Sequence, residues 1–203
     1  MLVIVDSRNR SHEHTVLRSM FEARKSVFID LLKWNLPALS GRYEVDRFDD
    51  RHAIYLVLVD DGGRHLASAR LLPSSQPGIL NSLFPDLCEG NLPTGPRVFE
   101  ITRFCLSRDM RAVQRRAVRN QLVAAIATYA LDHGIDTYTG VAEFAWLQQI
   151  LAFGWDCAPL GLPKLHDGAL LGAIRIEIAS DTLGRLAAAG VAEGVAVELR
   201  QAA

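Results

Sequence analysis

Residues 53–72 read Ala-Ile-Tyr-Leu-Val-Leu-Val-Asp-Asp-Gly-Gly-Arg-His-Leu-Ala-Ser-Ala-Arg-Leu-Leu. Residues 53–59 form a buried-strand pattern, Asp60-Asp61-Gly62-Gly63 a turn, and residues 65–72 a second strand. Two such runs across a Gly-rich turn specify a hairpin. Upstream, residues 2–5 are a short apolar strand. Residues 15–33 carry Val16, Leu17, Met20, Phe21, Val27, Phe28, Leu31 and Leu32 mostly at three- and four-residue spacing, which predicts an amphipathic helix broken near its middle. Pro37 and Ser40-Gly41 end it, and residues 42–50 are strongly charged.

Downstream, residues 73–96 hold five of the eight prolines and a short apolar cluster at Ile79, Leu80, Leu83 and Phe84. A connection of that length and irregularity tends to be functional. Residues 98–106 alternate, with Phe99, Ile101, Arg103 and Cys105 on one side and Glu100, Thr102 and Phe104 on the other. Residues 113–131 are the strongest helix, basic at its start. A strand at 137–141, a helix at 143–153 and a strand at 170–178 follow. One helix, then antiparallel strands, then alternating helix and strand make an α+β fold, an α/β/α sandwich around a mixed, mostly antiparallel sheet. That order matches acyltransferases of the GNAT type.

The chain has 203 residues, which favours one domain spanning 1–203. Lys plus Arg is 22 against Asp plus Glu 23, a balance that argues against neutralising nucleic-acid phosphates as its main task and leaves room for a local basic patch. Cys88, Cys105 and Cys157 are odd in number and far apart, as in a reduced, cytoplasmic protein. No uncharged stretch reaches the roughly 18 residues needed to span a bilayer, and residues 1–6 lack a basic n-region. His12 and His14 have no carboxylate or Cys cluster to complete a metal site, so no metal is expected.

Chemistry concentrates in the acids. Glu44, Asp46, Asp49 and Asp50 fall within seven residues, either as a solvated acidic turn or as partners for cations. Arg24, Arg70 and Arg103 each sit in an apolar setting, and buried arginines need partners. Together they point to a polar network in a pocket. Glu100, inside a strand, is the acid expected to be partly buried and so raised in pKa.

Arg24-x-x-x-Phe28, Trp34, Glu44-x-Asp46-x-x-Asp49, Arg70-Leu71-Leu72-Pro73, Phe84-Pro85 and Glu100-x-x-Arg103-Phe104 resemble, in order and spacing, the acyl-homoserine-lactone synthases, the LuxI-type autoinducer synthases. The match runs over about residues 20–110, with a looser continuation through Gly154-Trp155. Phe99, Thr102, Ser68 and Ala69 are mild departures.

The resemblance implies a GNAT-like fold and a two-step reaction. The amine of S-adenosylmethionine (a substrate, with no cofactor implied) attacks an acyl thioester, and the methionine carboxylate then closes the lactone and expels methylthioadenosine. Glu100 is the first candidate for the base and Glu44 the second. Arg24, Phe28, Trp34, Asp46, Asp49, Arg70, Phe84, Arg103 and Phe104 are implied to build or brace the adenosylmethionine pocket. An interrupted strand near residues 103–106 would offer amides to the thioester oxyanion.

The resemblance implies acyl carrier protein as the preferred donor, with acyl-CoA possible; on that reading Arg111, Arg115, Arg116 and Arg119 would dock this acidic partner, and on composition alone they are a solvated helix face. Ala142, beside Val141 and near Trp146, aligns where in the family a hydroxyl accompanies 3-oxo acyl groups, which implies an unsubstituted acyl chain; Thr139 is the other candidate for that position, and apolar residues from Phe144 to Phe153, as tunnel lining or as core, leave the expected length medium to long. The competing readings are a GNAT-type N-acyltransferase acting on another amine with acyl-CoA, and a non-catalytic ligand-binding homologue.

Overall fold

The computed structural model describes residues 1–191, which pack as two compact units. The first comprises residues 1–71 and 103–125, and the second residues 72–102 and 126–191. In chain order the strands and helices are β1 (Leu2–Val5), α1 (His14–Arg24), a π-helix (Lys25–Leu31), β2 (Ala38–Leu39), β3 (Tyr43–Glu44), β4 (Ile54–Val59) and β5 (His65–Pro73). There follow α2 (Ile79–Leu83), a 3-10 turn (Pro85–Leu87), β6 (Val98–Leu106), α3 (Ala112–His133), β7 (Thr137–Glu143) and α4 (Phe144–Leu151). The last are β8 (Asp156–Pro159), β9 (Lys164–His166), β10 (Ala169–Glu177) and α5 (Thr182–Ala188).

In the first unit β4 pairs antiparallel with β1 and with β5, the latter as the expected hairpin. Its turn closes because the Asp60 carboxylate accepts the Gly62 and Arg64 N–H groups at 3.0 and 2.9 Å, while Gly63 takes φ +76°. Residues 55–59 of β4 are all buried, which is why this strand reads as a continuous apolar run. Val16, Leu17 and Met20 form the buried side of α1. Its last residue, Arg24, is also buried, and there the helix widens into the π form. The Leu32 N–H donates to Val27 O at 2.9 Å, an i to i−5 bond in place of i−4. The break expected in this helix is therefore a change of helical pitch.

In the second unit the first half of β6 runs parallel to β7, with Glu100 opposite Thr139. A parallel pair needs a crossover, and α3 supplies it along the chain. The other pairings here are antiparallel: β10 with β7, β8 and β9. Gly172 of β10 admits α4, since a Cβ there would lie 2.6 Å from Leu147 Cδ1. The fold is α+β with a mixed, mostly antiparallel sheet, as the element order implied. The connection at 73–96 is more ordered than expected, for it contains α2 and the 3-10 turn.

Candidate active site

Three of the four clustered acids and the three arginines singled out from the sequence form a closed ring inside the first unit; the Asp50 carboxylate instead accepts the His52 N–H at 2.7 Å. Arg24 ends α1, Glu44 lies in β3, Asp46 and Asp49 in the turn after it, Arg70 in β5 and Arg103 in β6. Arg24 donates to Glu44 through Nε at 2.5 Å and to both Asp49 oxygens at 2.8 and 2.9 Å. Arg70 lies 2.8 Å from Asp49 and donates to Asp46 at 2.6 and 3.0 Å. Arg103 closes the circuit, donating to Asp46 at 2.7 Å and to Glu44 at 3.1 Å.

Each acid thus meets two arginines and each arginine two acids, at a net charge of zero. No side chain in the ring is more than 9% exposed. Desolvating six charges would be prohibitive singly and is met here by complete pairing.

The turn positions its own carboxylates. Asp49 accepts the Asp46 N–H at 2.8 Å, and Asp46 accepts the Phe48 N–H at 2.8 Å. Burial works to raise the Asp49 carboxyl, but the Arg24 and Arg70 guanidiniums prevail and hold it well below the usual carboxylate range. Burial likewise opposes the charge on Arg24, and Asp49 and Glu44 outweigh it and push its pKa up.

Tyr55 was not anticipated. Its hydroxyl donates to Asp49 at 3.0 Å, and burial followed by the Asp49 charge pushes that phenol up. The available signal was a tyrosine in an otherwise aliphatic strand, opposite Arg70 in register.

Arg103 adopts φ +50°, costly for a side-chain-bearing residue at about 1–3 kcal/mol, and its bonds to Glu44 and Asp46 hold it there. This is the irregularity expected near residues 103–106, and it ends the strict alternation of β6. The Phe28 and Trp34 rings stack at 4.9 Å and 14°, and the Arg103 guanidinium sits 5.7 Å from the Phe28 centroid. Phe28 packs with Val27 and Cys105, and burial pushes the Cys105 thiol up to about 12. Phe104 is half-buried beside them in sequence.

Glu100 lies in the second unit and is 4% exposed. Its two oxygens accept the Ile79 and Leu80 N–H groups of α2, at 2.8 and 2.9 Å. These charge-assisted bonds offset part of the desolvation and fix the carboxylate in place. Glu100 and Thr139 line one cleft together with Gly78, Leu80, Asn81 and Leu92. Phe84 and Val141 pack on Leu80, Leu87 and Ala173, and Phe84 meets His166 edge-on at 5.1 Å.

Residues 139 and 141 of β7 lie on the same face of the paired strands as Glu100 of β6, so Ala142 points to the other face, in register with Gly172. Trp146 packs edge-on against Phe153 at 5.9 Å. Of the basic residues, Arg111 and Arg116 are exposed. Arg115 donates to Ser107 O at 2.8 Å, and Arg119 to Asn120 Oδ1 at 2.8 Å. Among the described residues, no cluster of three or more His, Cys, Asp or Glu is placed to hold a metal, and no helix is long and apolar enough to cross a membrane.

Residues 8–183 match the family model described as autoinducer synthase. The isovaleryl-homoserine lactone synthase of Bradyrhizobium diazoefficiens is 30% identical over 184 residues, 90% of this chain and 82% of that protein. A solved structure of a CoA-dependent acyl-homoserine lactone synthase, BjaI, with SAM and isopentyl-CoA, is 30% identical. It superposes at a TM-score of 0.88 over 100% of this chain and 93% of that one. An acyl-CoA N-acyltransferase from Pseudomonas aeruginosa shares the fold alone, at 16% identity and a TM-score of 0.60 over 86% of this chain and 97% of that one.

Proposed function

The chain belongs to the autoinducer synthase family and is an acyl-homoserine-lactone synthase, and from that premise we propose which residues carry the reaction and which donor it takes. The amine nitrogen of S-adenosylmethionine attacks the thioester carbonyl carbon, the C–S bond breaks, and the thiol leaves. Glu100 accepts the proton the amine must lose, directly or through a water. The methionine carboxylate then attacks the carbon bonded to the sulfonium sulfur, closing the lactone as neutral methylthioadenosine departs.

The observation that supports Glu100 is its placement: a buried carboxylate held by two backbone amides at the wall of a cleft. Glu44 is the weaker candidate, since Arg24 and Arg103 already claim its oxygens. The ring residues, with Phe28 and Trp34, recognise adenosylmethionine. Because the ring is neutral overall, the aromatic faces are what attracts a sulfonium.

The donor is an acyl-CoA, a reading supported by the likeness to a CoA-dependent synthase over the whole chain. A carrier-protein thioester is the second reading, favoured by the exposure of Arg111 and Arg116. The acyl group is unsubstituted at its third carbon by oxygen, in keeping with the isovaleryl product named for one relative. The reaction belongs to the cytoplasm, where adenosylmethionine and acyl thioesters are made.

The test is incubation of the pure protein with adenosylmethionine and matched acyl-CoA and acyl-carrier-protein donors, with lactone and methylthioadenosine quantified by mass spectrometry. Higher kcat/KM on the carrier-protein donor would overturn the CoA reading. Undiminished turnover by Glu100→Gln would overturn the role given to Glu100.

A further inference from the structure

Glu100 reaches its two amide donors only by lying against Gly78. A Cβ built on Gly78 collides with Glu100 Oε2. The backbone there, φ −130° and ψ −174°, is extended and open to any residue, so glycine is required by space and not by conformation. The Gly78 N–H donates to Asn81 Oδ1 at 2.7 Å, and Asn81 Nδ2 donates to Gln76 O at 3.0 Å. The segment 76–81 is thereby closed on itself, with the Glu100 carboxylate seated on the Ile79 and Leu80 N–H groups.

We propose that Gly78 is a positioning residue for acyl transfer: the absence of a side chain there lets the Glu100 carboxylate lock onto the start of α2. The inference rests on Glu100 being the base. The atom that a new methyl would strike is the far end of a flexible side chain, whereas the surrounding backbone is tied by its own hydrogen bonds. The structure therefore gives way at the carboxylate, and the fold is spared while the base is displaced. A base moved by an ångström loses far more rate than binding affinity.

The experiment is a double-mutant cycle on the full chain with Gly78→Ala, Glu100→Gln and the pair, read as kcat and KM with adenosylmethionine and an acyl-CoA donor. Gly78→Ala is expected to lose at least tenfold in kcat, to hold KM for adenosylmethionine within twofold, and to melt within a few degrees of the parent. In the Glu100→Gln background the same substitution costs less than twofold more, because the group it displaces is already gone.

Parental kcat in Gly78→Ala beside an impaired Glu100→Gln would overturn the proposal alone, as would fully additive losses. Parental kcat in Glu100→Gln would overturn the base reading and this inference with it. Should Gly78→Ala fail to fold, Asn81→Leu, which unties the Gly78 N–H, takes its place in the cycle and is judged by the same outcomes.

Discussion

Arg24 and Asp49 are joined by two parallel hydrogen bonds of 2.8 and 2.9 Å, and neither side chain is more than 1% exposed. The same guanidinium reaches Glu44, so the pair is one arc of a closed ring of alternating charge. Removing one member of a buried ion pair strands its partners. Asp49→Asn keeps the shape and deletes one negative charge beside both Arg24 and Arg70. It is expected to cost about 3–5 kcal/mol, the range for a broken buried pair. In a chain of this size that lowers Tm by roughly 10 °C. Thermal unfolding at pH 7 checks it, and a Tm within 2 °C or so of the parent would refute the ring as a stability element.

His65 supplies a pH dependence of opposite origin. Its ring is 6% exposed, Nε2 meets Ser68 Oγ at 2.9 Å, and Nδ1 has no hydrogen-bond partner. Burial, then the Arg24 charge, push its pKa down from 6.5 to about 4. Between those values the unfolded chain binds a proton that the folded chain refuses, so stability rises with pH across that window and is lost as pH falls. The loss reaches about 2 kcal/mol by pH 5 and levels off below pH 4. Asp49 acts lower, its stabilisation disappearing only below the ordinary carboxylate range. Denaturant melts at pH 7.5 and pH 5 should show a smaller drop for His65→Gln than for the parent. Equal drops would mean that another group carries the effect.

What the sequence revealed divides by the kind of constraint involved. Arg24, Arg70 and Arg103 were legible because a charge on an apolar element must find an opposite charge, and four acids lay clustered within seven residues of one another. The hairpin was legible because Asp60 and Gly63 are needed by one specific turn. The π-helix was visible only as a defect in a 3.6-residue period, since its extra residue has no composition of its own. The helix α2 spans five residues between prolines, too few to show periodicity. Gly78 was invisible for another reason: its need for glycine comes from a side chain 22 positions later, which no local rule sees. Ala142 was assigned by spacing along the chain, and one residue of strand register sends a side chain to the opposite face.

The four arginines at the start of α3 separate into two kinds. Arg115 and Arg119 are tied to Ser107 and Asn120, and Arg111 and Arg116 project into solvent. Reversing Arg111 and Arg116 to Glu should weaken use of a carrier-protein thioester, with a loss that shrinks as salt rises. Turnover of acyl-CoA should change less, and Tm should hold. Arg115→Glu should instead lower Tm, because it frees the Ser107 carbonyl. Initial rates on both donors at low and high salt, with melts alongside, separate these roles. Equal losses on both donors would assign the exposed pair to a site the donors share.

The acyl chain gives the last prediction. An unsubstituted chain was expected because Ala142 offers no hydroxyl to a 3-oxo group. In the strand, however, Thr139 and not Ala142 shares a face with Glu100, and Thr139 lines the same cleft. A buried 3-oxo carbonyl that loses water without a donor pays about 1–3 kcal/mol, or roughly 5- to 150-fold in rate. Thr139→Val removes the hydroxyl at nearly constant volume and should depress turnover of the 3-oxo donor by that order while sparing the unsubstituted one. Ala142→Thr places a hydroxyl on the far face of β7, where it meets Gly172 of β10, and should leave the ratio of the two donors within about twofold. Competition between matched unsubstituted and 3-oxo acyl-CoA donors, scored by lactone mass, measures both variants in one vessel. A ratio that follows Ala142→Thr and ignores Thr139→Val would show that the chain does not run along the Glu100 face of β7.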